Sequence, residues 1–327
     1  MINEQSRNPF ISIVLITYNG EKYIREQLDS ILEQTMQNLE IVVCDDCSTD
    51  STKHILEEYA RKDFRIVLHF NEKNLGYLKN VEKAISYAGG GYIALADQDD
   101  VWEKDHLFKL YSNIGDNFLV CGDTLCVDKE NNSLNIRYSK LYGMNINLLK
   151  SNEEHLLRLL VMSNIFQGAA MMFKKEFVNI ILPFPDNIEY HDWWLALCAM
   201  ALNKFVYIPE VVIRHRRHDS NASTDVKNID DVYFSYKKEY VTMLEKLPNL
   251  NEKNKYIIEQ SNLFFINRKH LLKYYKAIDF WIKNYSVLYA TDNKSRFLIR
   301  LIKCFFYQPF KHIVCLTNYK KWKTRNG

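Results

Sequence analysis

Carboxylates gather directly after the apolar runs of this sequence. Asp45-Asp46-Cys47-Ser48-Thr49-Asp50 follows one run and Asp97-Gln98-Asp99-Asp100 follows another. Thr17-Tyr18-Asn19-Gly20 and Asn71-Glu72-Lys73-Asn74-Leu75-Gly76 follow two more. Like charges crowded in one place are costly unless a cation joins them. A hard divalent cation with oxygen ligands is the natural neutraliser, and Mg2+ or Mn2+ would keep positions open for phosphate oxygens. The chemistry suggested is that of a metal–diphosphate complex. The alternative is that these acids cap helices and face water; Asp50 is read that way, whereas Asp97 and Asp99 are read as functional. A further acid, Asp192, stands at a helix start in His191-Asp192-Trp193-Trp194. By residue type alone it is equally a general base or a helix cap.

The elements that must position these groups are legible as alternating patterns. Ile11–Thr17, Leu39–Cys44, Arg65–Phe70 and Tyr92–Ala96 are short apolar runs of the kind buried on both faces of a parallel sheet. Between them, residues 21–34, 50–61 and 77–88 carry helical spacing, with Ile24, Leu28, Ile31 and Leu32 on one face of the first. Gly89-Gly90-Gly91 ends the third helix; no Gly-Lys-Ser/Thr follows, so it is not a phosphate loop. This order predicts a right-handed, parallel wound sheet with helices on both faces, and all four polar segments then share its carboxyl edge. Further on, Phe118–Val127 and Gln167–Phe173 read as strands, and residues 153–162 and 191–202 as helices. Phe205–Ile208 and Val211–His215 read as two edge strands separated by Pro209. From about 224 onward the pattern is helical, including a long stretch over 252–283.

Composition sets the bounds. The chain has 327 residues, 47% hydrophobic and 25% charged, which excludes a disordered or low-complexity protein. No apolar run reaches the roughly 18 residues of a spanning helix, and no apolar leader opens the sequence. Seven cysteines, an odd count, suit a reducing cytoplasm. Cys44 and Cys47 have redox or zinc spacing, but no second pair accompanies them, so they are read as ordinary thiols. Residues 293–327 hold nine Lys or Arg and no acid, so the body of the chain is net acidic and the tail basic.

Ile13-Val14-Leu15-Ile16-Thr17-Tyr18-Asn19, Val42-Val43-Cys44-Asp45-Asp46-Cys47-Ser48-Thr49-Asp50 and Asp97-Gln98-Asp99-Asp100, in this order, resemble family 2 glycosyltransferases. The likeness runs from residue 11 to about 221. The Asp-Gln-Asp-Asp-Val-Trp and His-Asp-Trp-Trp runs are similar to bacterial surface-polysaccharide enzymes, rhamnosyltransferase-like ones included. The resemblance implies a GT-A fold and a metal-dependent, inverting transfer from a nucleotide diphosphate-sugar, UDP- or dTDP-linked. It puts Thr17, Tyr18, Glu21, Asp46, Asn74, Gly76 and Lys79 at the donor, where the family often has Arg for Lys79. Asp97 and Asp99 match its D-x-D: Asp99 as the metal ligand, Asp97 at the ribose or behind the metal, and Asp100 in either role. Asp192 matches the base that takes the acceptor's proton. His218 stands where related enzymes reach the metal or the diphosphate, and His is a competent Mn2+ ligand. Arg216 and Arg217 either hold phosphates or line a solvated loop. Trp193 and Trp194 could stack on sugars, with at least one expected in the core.

Mn2+ or Mg2+ is thus the expected cofactor. A nucleotide diphosphate-sugar and a lipid-linked glycan are the expected partners, with no nucleic acid. The expected domains are 1–223, divided at 101/102 into donor and acceptor halves, and a helical extension over 224–327. In its tail, basic residues alternate with Phe297, Leu301, Phe305, Phe306 and Trp322, which suits either an anionic membrane surface or docking on the body. The cytoplasm is the expected compartment, with peripheral contact on the inner face of the cell membrane left open. Two rivals stand beside the transferase. A sugar nucleotidyltransferase would need a basic, Gly-rich loop after the first strand, which Thr17-Tyr18-Asn19-Gly20 does not supply. A non-catalytic glycan- or membrane-binding protein would have no need of Asp97, Asp99 and Asp192.

Overall fold

The computed structural model describes residues 10–141, 164–186, 188, 190–218 and 240–267. The first hundred residues alternate as the apolar runs require: β1 (Ile11–Thr17), α1 (Ile24–Leu32), β2 (Leu39–Asp45), α2 (Thr52–Lys62), β3 (Ile66–Phe70), α3 (Tyr77–Tyr87) and β4 (Tyr92–Ala96). β1 is buried along its whole length. Its register with β2 runs from Ile11 opposite Leu39 to Thr17 opposite Asp45, all parallel. β5 (Val101–Trp102), α4 (His106–Ile114), β6 (Leu119–Val127), β7 (Ser133–Arg137) and α5 (Tyr138–Leu141) follow. After a short 3-10 turn come β8 (Met171–Lys174), α6 (Val178–Ile181), α7 (His191–Ala201), β9 (Phe205–Arg216) and α8 (Glu252–Asn267).

One nine-stranded sheet has the order β3-β2-β1-β4-β8-β6-β9-β5, with β7 paired to β6. The chain winds outward from β1 to β3 and then returns across β1 to β4. Strand order therefore reverses between β1 and β4, and the crevice at their carboxyl ends is where ligands bind in such sheets. Right-handed crossovers put α1 and α2 on one face and α3 on the other.

Several expectations need correction. The two strands expected around Pro209 are one continuous β9, flanked by β6 and β5 and so not at the edge. Proline has no N–H to give a ladder; the β6–β9 register jumps from Cys121↔Tyr207 to Asp123↔Val211, and Pro209 falls in that bulge. Of the strand expected over Gln167–Phe173, residues Gly168–Ala170 form a 3-10 turn and only the later part pairs. The helix expected over 153–162 and the tail over 293–327 lie outside the described residues, as do residues 224–239 and 268–283 of the helical patterns. α8 matches the start of the pattern over 252–283. Its Ile257 and Ile258, with Tyr240 and Leu244, pack into the same core as the sheet. Asn254 caps the carboxyl end of α7, its Nδ2 donating to Ala201 O at 2.9 Å.

Candidate active site

The four polar segments meet at the reversal point. Gln98 bridges it: Tyr18 N donates to Gln98 Oε1 at 2.8 Å, and Gln98 Nε2 donates back to Tyr18 O at 3.0 Å. Asn19 takes a left-handed turn (φ 49°), which asparagine tolerates. Its Oδ1 accepts from Thr49 N, and its own N–H donates to Ser48 Oγ. Tyr18 is left 48% exposed, its ring open to a ligand. Thr17 faces inward instead, and Glu21 is exposed but engaged by the protein. The buried Thr17 hydroxyl donates to Asp45 at 2.8 Å, and Glu21 accepts from Ser51 N at the start of α2. Asp50 caps that helix as expected, accepting from Thr52 N and from Glu21 N.

Asp46 is 3% exposed and organises the loop after β3. Oδ1 accepts from Asn71 Nδ2 and Leu75 N, both at 2.8 Å, and Oδ2 accepts from Gly76 N at 2.9 Å. Asn74 adds bonds to Asp46 O and from Gly76 N. Gly76 has φ +83°, so only glycine sits there without strain. Lys79 is placed away from these acids; it is exposed and its Nζ pairs with Glu82 at 3.3 Å. The lysine that does reach the loop is Lys83, which donates to Asn71 at 2.7 Å.

Asp97, Asp99 and Asp100 end β4 and differ in role. Asp100 is fully buried and tied to β9: Oδ1 accepts from His215 Nδ1 at 2.9 Å and from Arg216 N at 3.2 Å. Burial disfavours a charged His215, but Asp100 outweighs it and the imidazole's pKa is raised. Asp99 Oδ2 lies 2.9 Å from His218 Nε2. Burial, and then the Asp100 charge, raise the pKa of Asp99 although His218 and His215 pull it down. Asp97 is raised well above the usual range by burial and then by Asp100, Asp99 and Asp192. The acids crowded here thus oppose one another's ionisation.

A divalent cation fits that crowding. Asp99 and His218 offer one oxygen and one nitrogen side by side, with Asp97 as a second acid. Among the described residues no group of three or more His, Cys, Asp or Glu is arranged to hold a metal. A cation here would therefore draw further ligands from substrate oxygens, as Mg2+ and Mn2+ do. Arg216 holds no phosphate: it is 1% exposed and its guanidinium is spent on the protein. Arg217 is exposed.

Asp192 comes from α7. Ten of that helix's eleven residues are buried, and Asp192 is the exception. A helix apolar all round belongs inside a core, so its first turn is the one place where a carboxyl can reach the crevice. Trp193 and Trp194 are both core residues, at 1% and 4% exposure; Trp194 Nε1 donates to Ile181 O. Burial pushes the Asp192 carboxyl up to about 6, against the pull of Trp193 N and Asn164 Nδ2. Those donors sit 2.7 and 2.9 Å from Oδ1. His191 beside it is held neutral, burial lowering it to about 3. Gly168 leaves the room: a Cβ there would lie 2.8 Å from His191 Nε2.

Asn164 and Gly168 carry no sequence signal as parts of this site, and Gln98 stood in the Asp97–Asp100 run without an assigned role. Tyr77 also belongs to it. The residue is 41% exposed, with its ring centroid 5.2 Å from that of His191.

Comparison with known proteins agrees with this geometry. The model of "Glycosyl transferase family 2" matches residues 12–179. A putative teichuronic acid biosynthesis glycosyltransferase of Bacillus subtilis, TuaG, is 40% identical over 101 residues, covering 31% of this chain and 40% of that protein. S. aureus TarS, solved in complex with UDP-GlcNAc, superposes with a TM-score of 0.58 at 19% identity, over 79% of this chain and 72% of TarS. A mannosyltransferase from Pyrobaculum calidifontis, solved with GDP-Man and Mn2+, gives 0.57 at 19% identity, over 97% and 84%. These two likenesses establish the GT-A fold.

Proposed function

The chain belongs to glycosyl transferase family 2, and from that premise we propose that it is a metal-dependent, inverting enzyme. It moves a sugar from a UDP- or dTDP-linked donor to a hydroxyl of a lipid-linked glycan in surface-polysaccharide synthesis. One observation carries the reading. The Asp192 carboxyl, half-buried in the first turn of α7 and with its pKa raised to about 6, adds to the charge that Asp97 feels.

The chemistry follows from the placement. The acceptor hydroxyl attacks the anomeric carbon, its proton passes to Asp192, and the bond from that carbon to the diphosphate oxygen breaks on the opposite face. A carboxylate with a pKa near the working pH is a competent base. Bound at Asp99 and His218, Mn2+ or Mg2+ would neutralise the departing diphosphate. Asp97 would lie at the ribose or behind the metal. Tyr18 offers its exposed ring to the base, and Glu21, Asp46, Asn74 and Gly76 fix the loops on which the nucleotide lies, with Thr17 beneath them. Lys79 would have to leave Glu82 to join them. The teichuronic acid role ascribed to TuaG and the UDP-GlcNAc and GDP-Man of the solved structures support a nucleotide-sugar donor and a polysaccharide product. Among the described residues no helix is long and apolar enough to cross a membrane; the basic tail would supply peripheral contact with the lipid-linked acceptor.

A thermal-shift panel with Mn2+ and UDP, dTDP, GDP, CMP or ADP tests the donor site, since a ligand of the folded state raises Tm. The expected result is a metal-dependent shift with UDP or dTDP that Asp99→Ala abolishes. No shift with any nucleotide, on folded protein, refutes the reading.

A further inference from the structure

Behind the Asp99–His218 pair, side chains from three separate segments close a circuit. Arg216 ends β9, and its Nε donates to the main-chain oxygen of Asp99 at 3.1 Å. Nη1 donates to Lys129 O at 2.7 Å, and Nη2 to the Glu26 carboxylate of α1 at 2.5 Å. The guanidinium carbon lies 4.7 Å from the ring centroid of Tyr23, in the turn before α1. That same ring lies 4.9 Å from the His218 imidazole, tilted by 31°. His218 Nε2 then returns to Asp99 Oδ2 at 2.9 Å. One arginine thus holds the main chain of one metal-pair member directly and reaches the imidazole of the other through an aromatic ring.

The cost of this arrangement argues for a use. A buried guanidinium is expensive, and an apolar side chain of similar volume packs as well or better. The Tyr23 hydroxyl is buried with no hydrogen-bond partner, itself a penalty. What position 23 contributes is therefore the face of the ring between a cation and an imidazole.

We propose that Arg216 and Tyr23 are positioning residues, setting the Asp99 carboxylate and the His218 imidazole for a divalent cation and coupling the turn after β1 to that pair. This rests on the reading of Asp99 and His218 as metal holders. Residues that orient metal ligands commonly matter 10–100-fold to metal affinity.

The test is Mn2+ binding to the full chain, read by the electron paramagnetic resonance of the free ion, in the presence of each of UDP, dTDP and GDP. Asp99→Ala should lose the binding. Tyr23→Leu should weaken it by roughly 10–100-fold, and Tyr23→Phe, which keeps the ring, should rescue it. Arg216→Lys should weaken it too, because an ammonium cannot make three divergent contacts and stack as well. If Asp99→Ala loses Mn2+ but Tyr23→Leu binds it as the unaltered chain does, the positioning role is wrong, whatever happens to Tm. If Asp99→Ala itself binds Mn2+ normally, the metal reading fails and this inference falls with it. Should the Arg216 variant not fold, the partly exposed Tyr23 decides the matter alone.

Discussion

Two acidic pairs stand at the carboxyl ends of β2 and β4, one strand apart, and their surroundings are opposite. Asp45 and Asp46 are saturated with donors: Thr17 Oγ1 and Ser48 N for Asp45, and Asn71 Nδ2, Leu75 N and Gly76 N for Asp46. Asp97 and Asp99 have their pKa values raised by burial and mutual repulsion. The first pair builds the loops that shape the crevice; the second leaves charge for a ligand to balance. Asp100 belongs with the first kind although it adjoins the second, since His215 and Arg216 N consume it. Main-chain and hydroxyl donors hold Asp45 and Asp46, and His215 and Arg216 N hold Asp100, whereas the partner of Asp99 is the His218 imidazole.

The largest effect expected concerns Asp192, whose pKa burial raises as it does those of Asp97 and Asp99. Asp192→Asn should lower transfer by roughly 10²–10⁴-fold with the fold intact. In the unaltered enzyme the rate should climb as pH rises through about 6 and level off above it, because only the deprotonated carboxyl accepts a proton. The sign for stability is reversed. A carboxyl whose folded pKa is raised favours the fold when protonated and costs it stability once pH passes about 6. Asp192→Asn should therefore raise Tm at pH 8, and the gain should shrink at pH 4. A lower Tm at both pH values would show that Asp192 is a structural cap.

On the saturated side the outcome should invert. Asp46→Ala should cost about 3 kcal/mol in urea unfolding, since it strands three donors beneath the loop, whereas Asp99→Ala should leave stability unchanged or higher in metal-free buffer. Equal losses in the two variants would erase the distinction. Gly76→Ala should cost about 1–2 kcal/mol through its positive φ and weaken donor binding with it. The smallest effect is expected at Lys79. Its pair with Glu82 is solvent-exposed, so Lys79→Ala should shift stability by less than about 0.5 kcal/mol.

Much of the frame was legible because β1 to β4 are continuous apolar runs, each followed by polar residues that cannot continue a buried strand. β7 was not read, although Ser133-Leu134-Asn135-Ile136-Arg137 alternates polar and apolar; all five of its residues are exposed, so the alternation marks no buried face. β5 is two residues long and carries no pattern at all. α4 did carry one, in Leu107, Leu110 and Ile114, which went unused. At the site, the family resemblance brought out Asp97, Asp99, Asp192 and His218, and His218 lies 2.9 Å from Asp99. Lys79, expected at the donor, is exposed and paired with Glu82, since adjacency to a loop does not fix which side of a helix a residue occupies. Asn164 and Gly168 were invisible because their role depends on α7, which is distant in sequence.

The sequence by itself determined the wound sheet, its carboxyl edge and the acids delivered there, because hydrophobic period and strand order are local properties of the chain. Only the tertiary structure decided which of those acids are spent and which are left to bind. That depends on whether an N–H, a hydroxyl or an imidazole from a remote strand arrives within hydrogen-bonding distance, and no local pattern records it.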